Sequence, residues 1–339
     1  MADPRFVLLQ SETVPRIRRS RTECSLRAFS LNPYCTMQRI PFYLAFATAV
    51  IAVVLTPSQA QDATHSLDDP VAITAEDYAF DAPDELLSGW TTLKYTNEGE
   101  EPHFLILGRV PEGKTFDDLA STVSPPFNEI WYQLRDGEIS QEEAFEKLGE
   151  ELPEWFWAVE FMGGPGLISP GLTTEATVYL EPGTYYLECY AKTEDGEFHS
   201  MEGMMRELTV TDARGGGVPP EADIEITLSN FELDIKGTLA PGTQTVSVHV
   251  AENPEEGFGH NVHVARLEPG MDVDEIARWM NPFEITGMQT PAPTKLVGGM
   301  QMLPEGQTGY FTLDLEPGRY LFVAENTGHL GVMQVVTVD

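Results

Sequence analysis

The chain has 339 residues and a formal net charge of −34, with 54 acidic residues against 20 basic ones. It is 42% hydrophobic and 10% aromatic, which is enough apolar material for packed cores and excludes global disorder. Proteins that bind nucleic acid carry clustered Lys and Arg, so this composition argues against a nucleic-acid partner. The length is typical of about two domains.

The N-terminal region carries the three parts of a secretory signal. A short basic start at Met37 precedes an apolar run over 42–55, and small residues, Ser58 and Ala60, follow at the −3 and −1 positions of a cleavage site. We therefore interpret 37–60 as a signal peptide that is cleaved after Ala60. The alternative is an uncleaved anchor helix, but the apolar run is shorter than the roughly 20 residues that span a membrane.

Residues 1–36 precede this complete signal, which has a Met of its own, and we interpret them as the product of a mis-set start codon. The mature chain would then be exported, to the periplasm or outside the cell, without a transmembrane helix. It would keep only Cys189, since Cys24 and Cys35 are removed. A lone cysteine is a buried apolar residue, a reactive thiol or a metal ligand.

The mature sequence repeats itself in several separate blocks. Pro102–Gly113 parallels Gly259–Gly270, and a Leu-Glu-Pro-Gly motif recurs near the end of each half. We infer two homologous domains, at 68–212 and 222–339. The Gly- and Pro-rich stretch 213–221 between them is typical of a linker.

Each copy has the pattern of a β-sandwich. Val246, Val248 and Val250 alternate with more polar residues, which is the period of a half-buried strand. The Glu-Pro-Gly motifs at 181–183 and 316–318 are typical of turns between short strands. The sequence therefore predicts an all-β protein made of two tandem sandwiches.

Only the first copy departs strongly from this pattern, at 115–160. Ser140 and Glu143 form a capping-box pattern ahead of an apolar run, and this predicts helices within an insertion. The second copy has a short helical segment, Val273–Met280, at the same place. We expect the insertion to pack its aromatic residues on the sandwich, and a lid or docking surface is the alternative.

Four residues of the first copy have the chemistry of a copper centre. His103, Cys189, His199 and Met204 supply two imidazoles, a thiolate and a thioether, the ligand set of blue-copper sites. Taken singly, each has a structural interpretation, a core cysteine or a hydrogen-bonded histidine among them. Met201 and Met205 flank Met204, and either could replace it as the axial ligand.

The segments around these residues resemble plastocyanin-like cupredoxins. The resemblance lies in Asn97–His103, Glu181–Cys189 and His199–Met204, and it is strongest to secreted bacterial members with a long loop between the copper Cys and the second His. It implies Greek-key sandwiches and one mononuclear copper in the first copy. His103, Cys189 and His199 would be the equatorial ligands and Met204 the axial ligand, and the activity would be one-electron transfer.

The second copy lacks the thiolate. Ala324 stands at the position of Cys189, while His260 aligns with His103, and His329 and Met333 lie in the segment that corresponds to the second His and the Met. We expect a degenerate, metal-free domain. A weak Cu(I) site built from imidazole and thioether is the alternative.

We therefore expect an exported copper protein that transfers electrons and is not an enzyme. Nitrite reductases and multicopper oxidases connect their coppers through a His beside the Cys, whereas Glu188 and Tyr190 flank Cys189 here. The alternatives are a copper-free structural or binding module and a copper carrier. The redox partner is unknown; the acidic surface would attract a basic one, or it reflects a salty habitat.

The signal interpretation predicts that the mature protein begins at Gln61. Mass spectrometry of the exported protein measures this terminus directly. A terminus at Met1 or Met37 would contradict the interpretation.

Overall fold

The computed structural model describes residues 69–254 and 259–339, which belong to one compact unit. The predicted signal peptide at 37–60 and the segment 1–36 lie outside the described residues. Within the described ranges, every helix is too short or too polar to cross a bilayer.

The first repeat consists of strands with one helical insertion. In chain order its elements are β1 (Val71–Glu76), β2 (Ala79–Asp81), β3 (Glu85–Asn97), β4 (Ile106–Arg109), α1 (Phe116–Thr122), α2 (Ser124–Arg135), α3 (Gln141–Glu151), a 3-10 turn (Glu154–Ala158), β5 (Glu160–Phe161), β6 (Thr173–Leu180), β7 (Gly183–Glu188) and β8 (Met205–Arg214).

The second repeat follows the same order with a shorter helical part. Its elements are β9 (Ile224–Ser229), β10 (Glu232–Lys236), β11 (Gly242–Glu252), β12 (Val262–Leu267), α4 (Val273–Met280), β13 (Leu296–Met300), β14 (Thr308–Leu315), β15 (Gly318–Val323), a 3-10 turn (Gly328–Leu330) and β16 (Met333–Val338). The short helix predicted at Val273–Met280 is confirmed.

Most strand pairs of the first repeat recur in the second. β1 runs parallel to β3 as β9 runs parallel to β11, and β4 pairs with β7 as β12 pairs with β15. The pairs β7 with β8 and β15 with β16 close the second sheet of each repeat. The predicted fold class, all-β with two tandem sandwiches and a helical insertion in the first, is confirmed.

β3 belongs to both sheets of the first sandwich. Its first residues, Glu85–Leu87, pair with β8, and from Gly89 onward it pairs with β6. Gly89 has a φ of +111°, which only glycine adopts without strain, so the bend between the two sheets falls there.

The two repeats share a sheet and a core. β14 pairs with β6 through Tyr310 opposite Thr177 and Phe311 opposite Ala176. This pairing joins one sheet of the second repeat to the strands of the first repeat, in a hydrogen-bonded network of twelve strands. The main hydrophobic cluster contains buried residues of both repeats. The segment expected to link them starts as strand, because β8 continues to Arg214.

The insertion is helical and packs on the sandwich. The capping box of Ser140 and Glu143 is confirmed at the start of α3, where each residue bonds the backbone N–H of the other. The insertion forms two apolar clusters. One surrounds Tyr186 of β7, and the other surrounds Phe198 in the loop between β7 and β8.

Candidate metal centre

Three elements bring the predicted equatorial ligands together. His103 pairs with Ile168 just before β4, Cys189 directly follows β7, and His199 lies in the loop that leads to β8. All three side chains are 0% exposed. The sheet therefore positions His103 and Cys189, whereas backbone hydrogen bonds with Ala191 and Met204 hold His199 in its loop.

The ligand atoms converge on one point. The two Nδ1 atoms of His103 and His199 are 3.1 Å apart, and Cys189 Sγ lies 3.9 Å from the first and 3.6 Å from the second. Metal–nitrogen bonds of about 2.0 Å and metal–sulfur bonds of about 2.3 Å let a single ion bridge atoms at such spacings. His103, Cys189 and His199 form the one cluster of three or more His, Cys, Asp or Glu side chains, among the described residues, that could hold a metal ion.

The outward nitrogens fix the tautomers of both imidazoles. His103 Nε2 lies 2.6 Å from Asp77 Oδ1, and His199 Nε2 lies 2.8 Å from Glu101 Oε2. An ionised carboxylate only accepts hydrogen bonds, so each Nε2 carries the proton and each Nδ1 points a lone pair inward. Burial lowers the pKa of His103 and lowers that of His199 to about 3, so both rings are neutral.

This arrangement is unfavourable without a cation. The two Nδ1 atoms are only 3.1 Å apart, and their inward lone pairs repel each other. Because both rings are neutral with the proton on Nε2, no hydrogen bond can form between these two nitrogens. Burial also raises the pKa of the Cys189 thiol to about 12, although the backbone N–H groups of Phe104 and Ala191 oppose the shift by bonding the sulfur. A soft cation at the common point would satisfy both lone pairs and hold the sulfur as thiolate, so the donor set fits copper.

Asp77 reaches His103 because Gly99 leaves room for it. A Cβ at Gly99 would lie 2.3 Å from Asp77 Oδ1 and 2.7 Å from His103 Nε2. The backbone N–H of Glu100 also donates to Asp77 at 2.7 Å. This bond and the one from His103 outweigh partial burial and lower the pKa of Asp77, which is therefore a carboxylate.

Glu101 connects the first repeat to the second. Besides His199, its carboxylate bonds Tyr78 and Thr290, a residue of the second repeat. Burial raises the pKa of Glu101. The ring of Tyr78 packs 4.9 Å from the ring of His199. The outer edge of this histidine is therefore covered.

The loop between Cys189 and His199 is held by a buried lysine. Lys192 is 0% exposed, and its Nζ donates to the carbonyls of Pro282 and Glu284 at 2.9 and 2.7 Å. The ammonium lies 4.5 Å from the ring centre of Trp131 on α2, a cation–π distance. Burial lowers the pKa of Lys192 to about 7. Both the insertion and the second repeat thus brace the loop.

Met204 is the methionine most closely tied to the ligands. Its backbone N–H donates to His199 at 2.8 Å and its carbonyl accepts from Cys189 at 3.2 Å. Its side chain is 0% exposed and belongs to the same cluster as Cys189. Met201 and Met205 pack instead against the two clusters of the insertion.

The second repeat has no equivalent convergence in the described residues. Ala324 occupies the cysteine position and is buried. His260 is buried with its Nε2 unpartnered, whereas His329 is exposed on a 3-10 turn and Met333 is half-buried at the start of β16.

A buried polar network, missed by the sequence analysis, joins the repeats beside Cys189. Tyr190 donates its hydroxyl to Glu325 Oε2 at 2.7 Å, and His263 Nε2 lies 2.6 Å from Glu325 Oε1. The backbone N–H of Leu167 donates to His263 Nδ1, so the Nε2 carries the proton. His263 and Glu325 are 0% exposed.

The outer carboxylates were also missed. Glu101 lies two positions before His103 in the resembling segment, but nothing in its spacing separates it from Glu98 and Glu100. Asp77 is distant in sequence from every predicted ligand. Only the fold places these two acids at the histidines.

Comparisons with known proteins give solved structures only. No family model and no curated protein match the chain. A reduced auracyanin from Roseiflexus castenholzii is 25% identical to this chain. The match covers 34% of this chain and 94% of the auracyanin, with a TM-score of 0.26. Auracyanin A, a blue copper protein from Chloroflexus aurantiacus, is 20% identical to this chain. The match covers 42% of this chain and 100% of auracyanin A, with a TM-score of 0.24. A multicopper oxidase is 15% identical to this chain. The match covers 79% of this chain and 88% of the oxidase, with a TM-score of 0.21.

The carboxylates predict an effect on metal affinity. Asp77→Asn and Glu101→Gln keep an oxygen that accepts from the histidine but remove the charge that increases its basicity. We expect each to weaken Cu(II) binding about 10–100-fold, measured by competitive titration. Glu98→Gln, an equal charge change on an exposed residue of the same segment, is the control. Equal affinities in all three variants would contradict the role of the carboxylates.

Proposed function

We propose that this protein is an exported copper protein that transfers single electrons through a mononuclear type 1-like centre in its first repeat. His103, Cys189 and His199 would be the equatorial ligands and Met204 the axial one. The observation that carries the proposal is the convergence of two neutral Nδ1 atoms and one thiol, all 0% exposed, within 3.9 Å of one another.

The residues suit electron transfer because they are already in place. Copper would supply a one-electron couple, and the chain would supply a site that moves little when the charge changes. His103 and Cys189 are fixed by strands, and the outer carboxylates orient both imidazoles. A core that excludes water lowers the reorganisation needed at each transfer.

Burial of every ligand also favours a carrier of electrons over the other candidates. An enzyme needs an open position for its substrate, and a copper carrier needs ligands that a partner can reach. The residues beside Cys189 are Glu188 and Tyr190 rather than the His that would lead to a second copper. We therefore place the activity in electron transfer and not in catalysis.

Two features of the sequence support the proposed location and the proposed kind of redox partner. The signal pattern over 37–60 supports a periplasmic or extracellular location, and the net charge of −34 supports a basic redox partner whose binding weakens with salt. The second repeat would bind no metal and would cover the histidine edge through Thr290 and Glu101.

Replacing the cysteine tests the proposal. Wild-type protein loaded with Cu(II) should bind one ion per chain tightly and show intense visible absorption from the thiolate–copper bond. Cys189→Ser should lose that absorption and keep the β fold, at a cost of about 1–3 kcal/mol for the buried hydroxyl. Absorption, circular dichroism and copper titration measure these outcomes.

A matched control is Met205→Leu, which changes a neighbouring sulfur that packs on the insertion and should leave the visible band unchanged. A wild-type protein that binds copper without an intense band would contradict electron transfer and favour a carrier. A wild-type protein that binds no copper would favour the copper-free module. The same band in Cys189→Ser would contradict the assignment of the thiolate.

A further inference from the structure

We propose that the cavity between the helical insertion and the loop from β7 to β8 binds a small neutral aromatic molecule carrying one hydrogen-bond donor. The donor would bond the carboxyl group of Glu188. This site is distinct from the metal centre, and its existence does not depend on copper binding.

The cavity is large enough for two fused rings. Its volume is about 250 Å³, whereas an engineered cavity of about 150 Å³ in another protein holds benzene. Its walls are mainly aromatic; they include Phe127, Trp131, Phe156, Tyr186, Tyr190 and Phe198. Flat apolar walls of this kind favour a flat apolar ligand.

The space results from how the insertion packs. The insertion makes two separate apolar clusters, one of them around Tyr186 and the other around Phe198. Both of these residues line the cavity, so the cavity lies where the clusters adjoin. Pro282 and Phe283 of the second repeat also line it. The cavity is therefore part of the architecture of the described chain and not a gap left by one small side chain.

One charged group lies in this apolar wall. Glu188 is the charged residue among those that line the cavity, and no Lys, Arg or His accompanies it there. Its carboxyl group bonds Ser200, and a carboxyl group has capacity for further bonds. An anionic ligand would lie beside this acidic side chain with no basic residue in the lining to offset the repulsion.

Part of the wall is formed by the immediate neighbours of the proposed copper ligands. Glu188 and Tyr190 flank Cys189, Phe198 and Ser200 flank His199, and Met205 follows Met204; all five line the cavity. A bound ring would therefore contact residues adjacent in sequence to three of the ligands. Occupancy should perturb the copper spectrum wherever copper is bound.

Indole is a suitable probe because it is flat, neutral and carries one N–H donor. Benzofuran has nearly the same shape without the donor, and indole-3-carboxylate adds a negative charge. With the mature chain we expect one indole per protein, bound about tenfold or more tighter than either analogue. Isothermal titration measures this with or without copper.

Two pairs of variants locate the site. Ala144→Phe fills the cavity from α3 and should abolish binding, whereas Ala120→Phe, on an exposed position of α1, should not. Glu188→Leu should remove the preference for indole over benzofuran, and Glu188→Gln, which retains an acceptor, should keep it. Circular dichroism checks that each variant is folded.

Binding of indole-3-carboxylate as tight as that of indole, or a preference that survives Glu188→Leu, would overturn the proposal, as would the absence of indole binding to the wild type. If Ala144→Phe fails to fold, the comparison of the two Glu188 variants decides. A wild type that binds indole but no copper would leave this site standing while contradicting the proposed function.

Discussion

The structure depends on one electrostatic constraint: two imidazole lone pairs and a thiol, all fully buried, point at the same spot. Each outward nitrogen is bonded to a carboxylate, Asp77 or Glu101, so neither ring can turn its proton inward without losing that bond. The resulting site is unfavourable in the absence of a cation and well suited to a soft one. Three features maintain this arrangement: Gly99 leaves room for Asp77, Tyr78 covers the edge of His199, and Cys189 is fully buried.

The second repeat contributes to the site without sharing its chemistry. Its residue Thr290 bonds Glu101, and its Glu325 accepts a hydrogen bond from Tyr190 beside the cysteine. Carbonyls of Pro282 and Glu284 hold Lys192 in the loop between Cys189 and His199. Loss of the cysteine in this repeat is therefore compatible with a remaining role, because a cover for the histidine edge needs the fold and not the metal.

The sequence predicted the fold and the three converging ligands better than it predicted the residues that surround those ligands. Strand alternation, the repeated Leu-Glu-Pro-Gly turns and the capping box of Ser140 report local geometry, which neighbouring residues determine. The order of His103, Cys189 and His199 carries a family resemblance. By contrast, Asp77 and Glu325 reach their partners across the fold, as do the groups that hold Lys192. No local pattern distinguishes these residues from the many other acids and bases of a strongly charged chain.

The position of the metal tests the account most directly. Crystals of the mature protein loaded with copper can be measured at the copper absorption edge, where anomalous scattering locates the ion without assumptions about its ligands. The account predicts one strong peak per chain, between the Nδ1 atoms of His103 and His199 and the sulfur of Cys189. A dominant peak at His260 or His329, or none at Cys189, would contradict it.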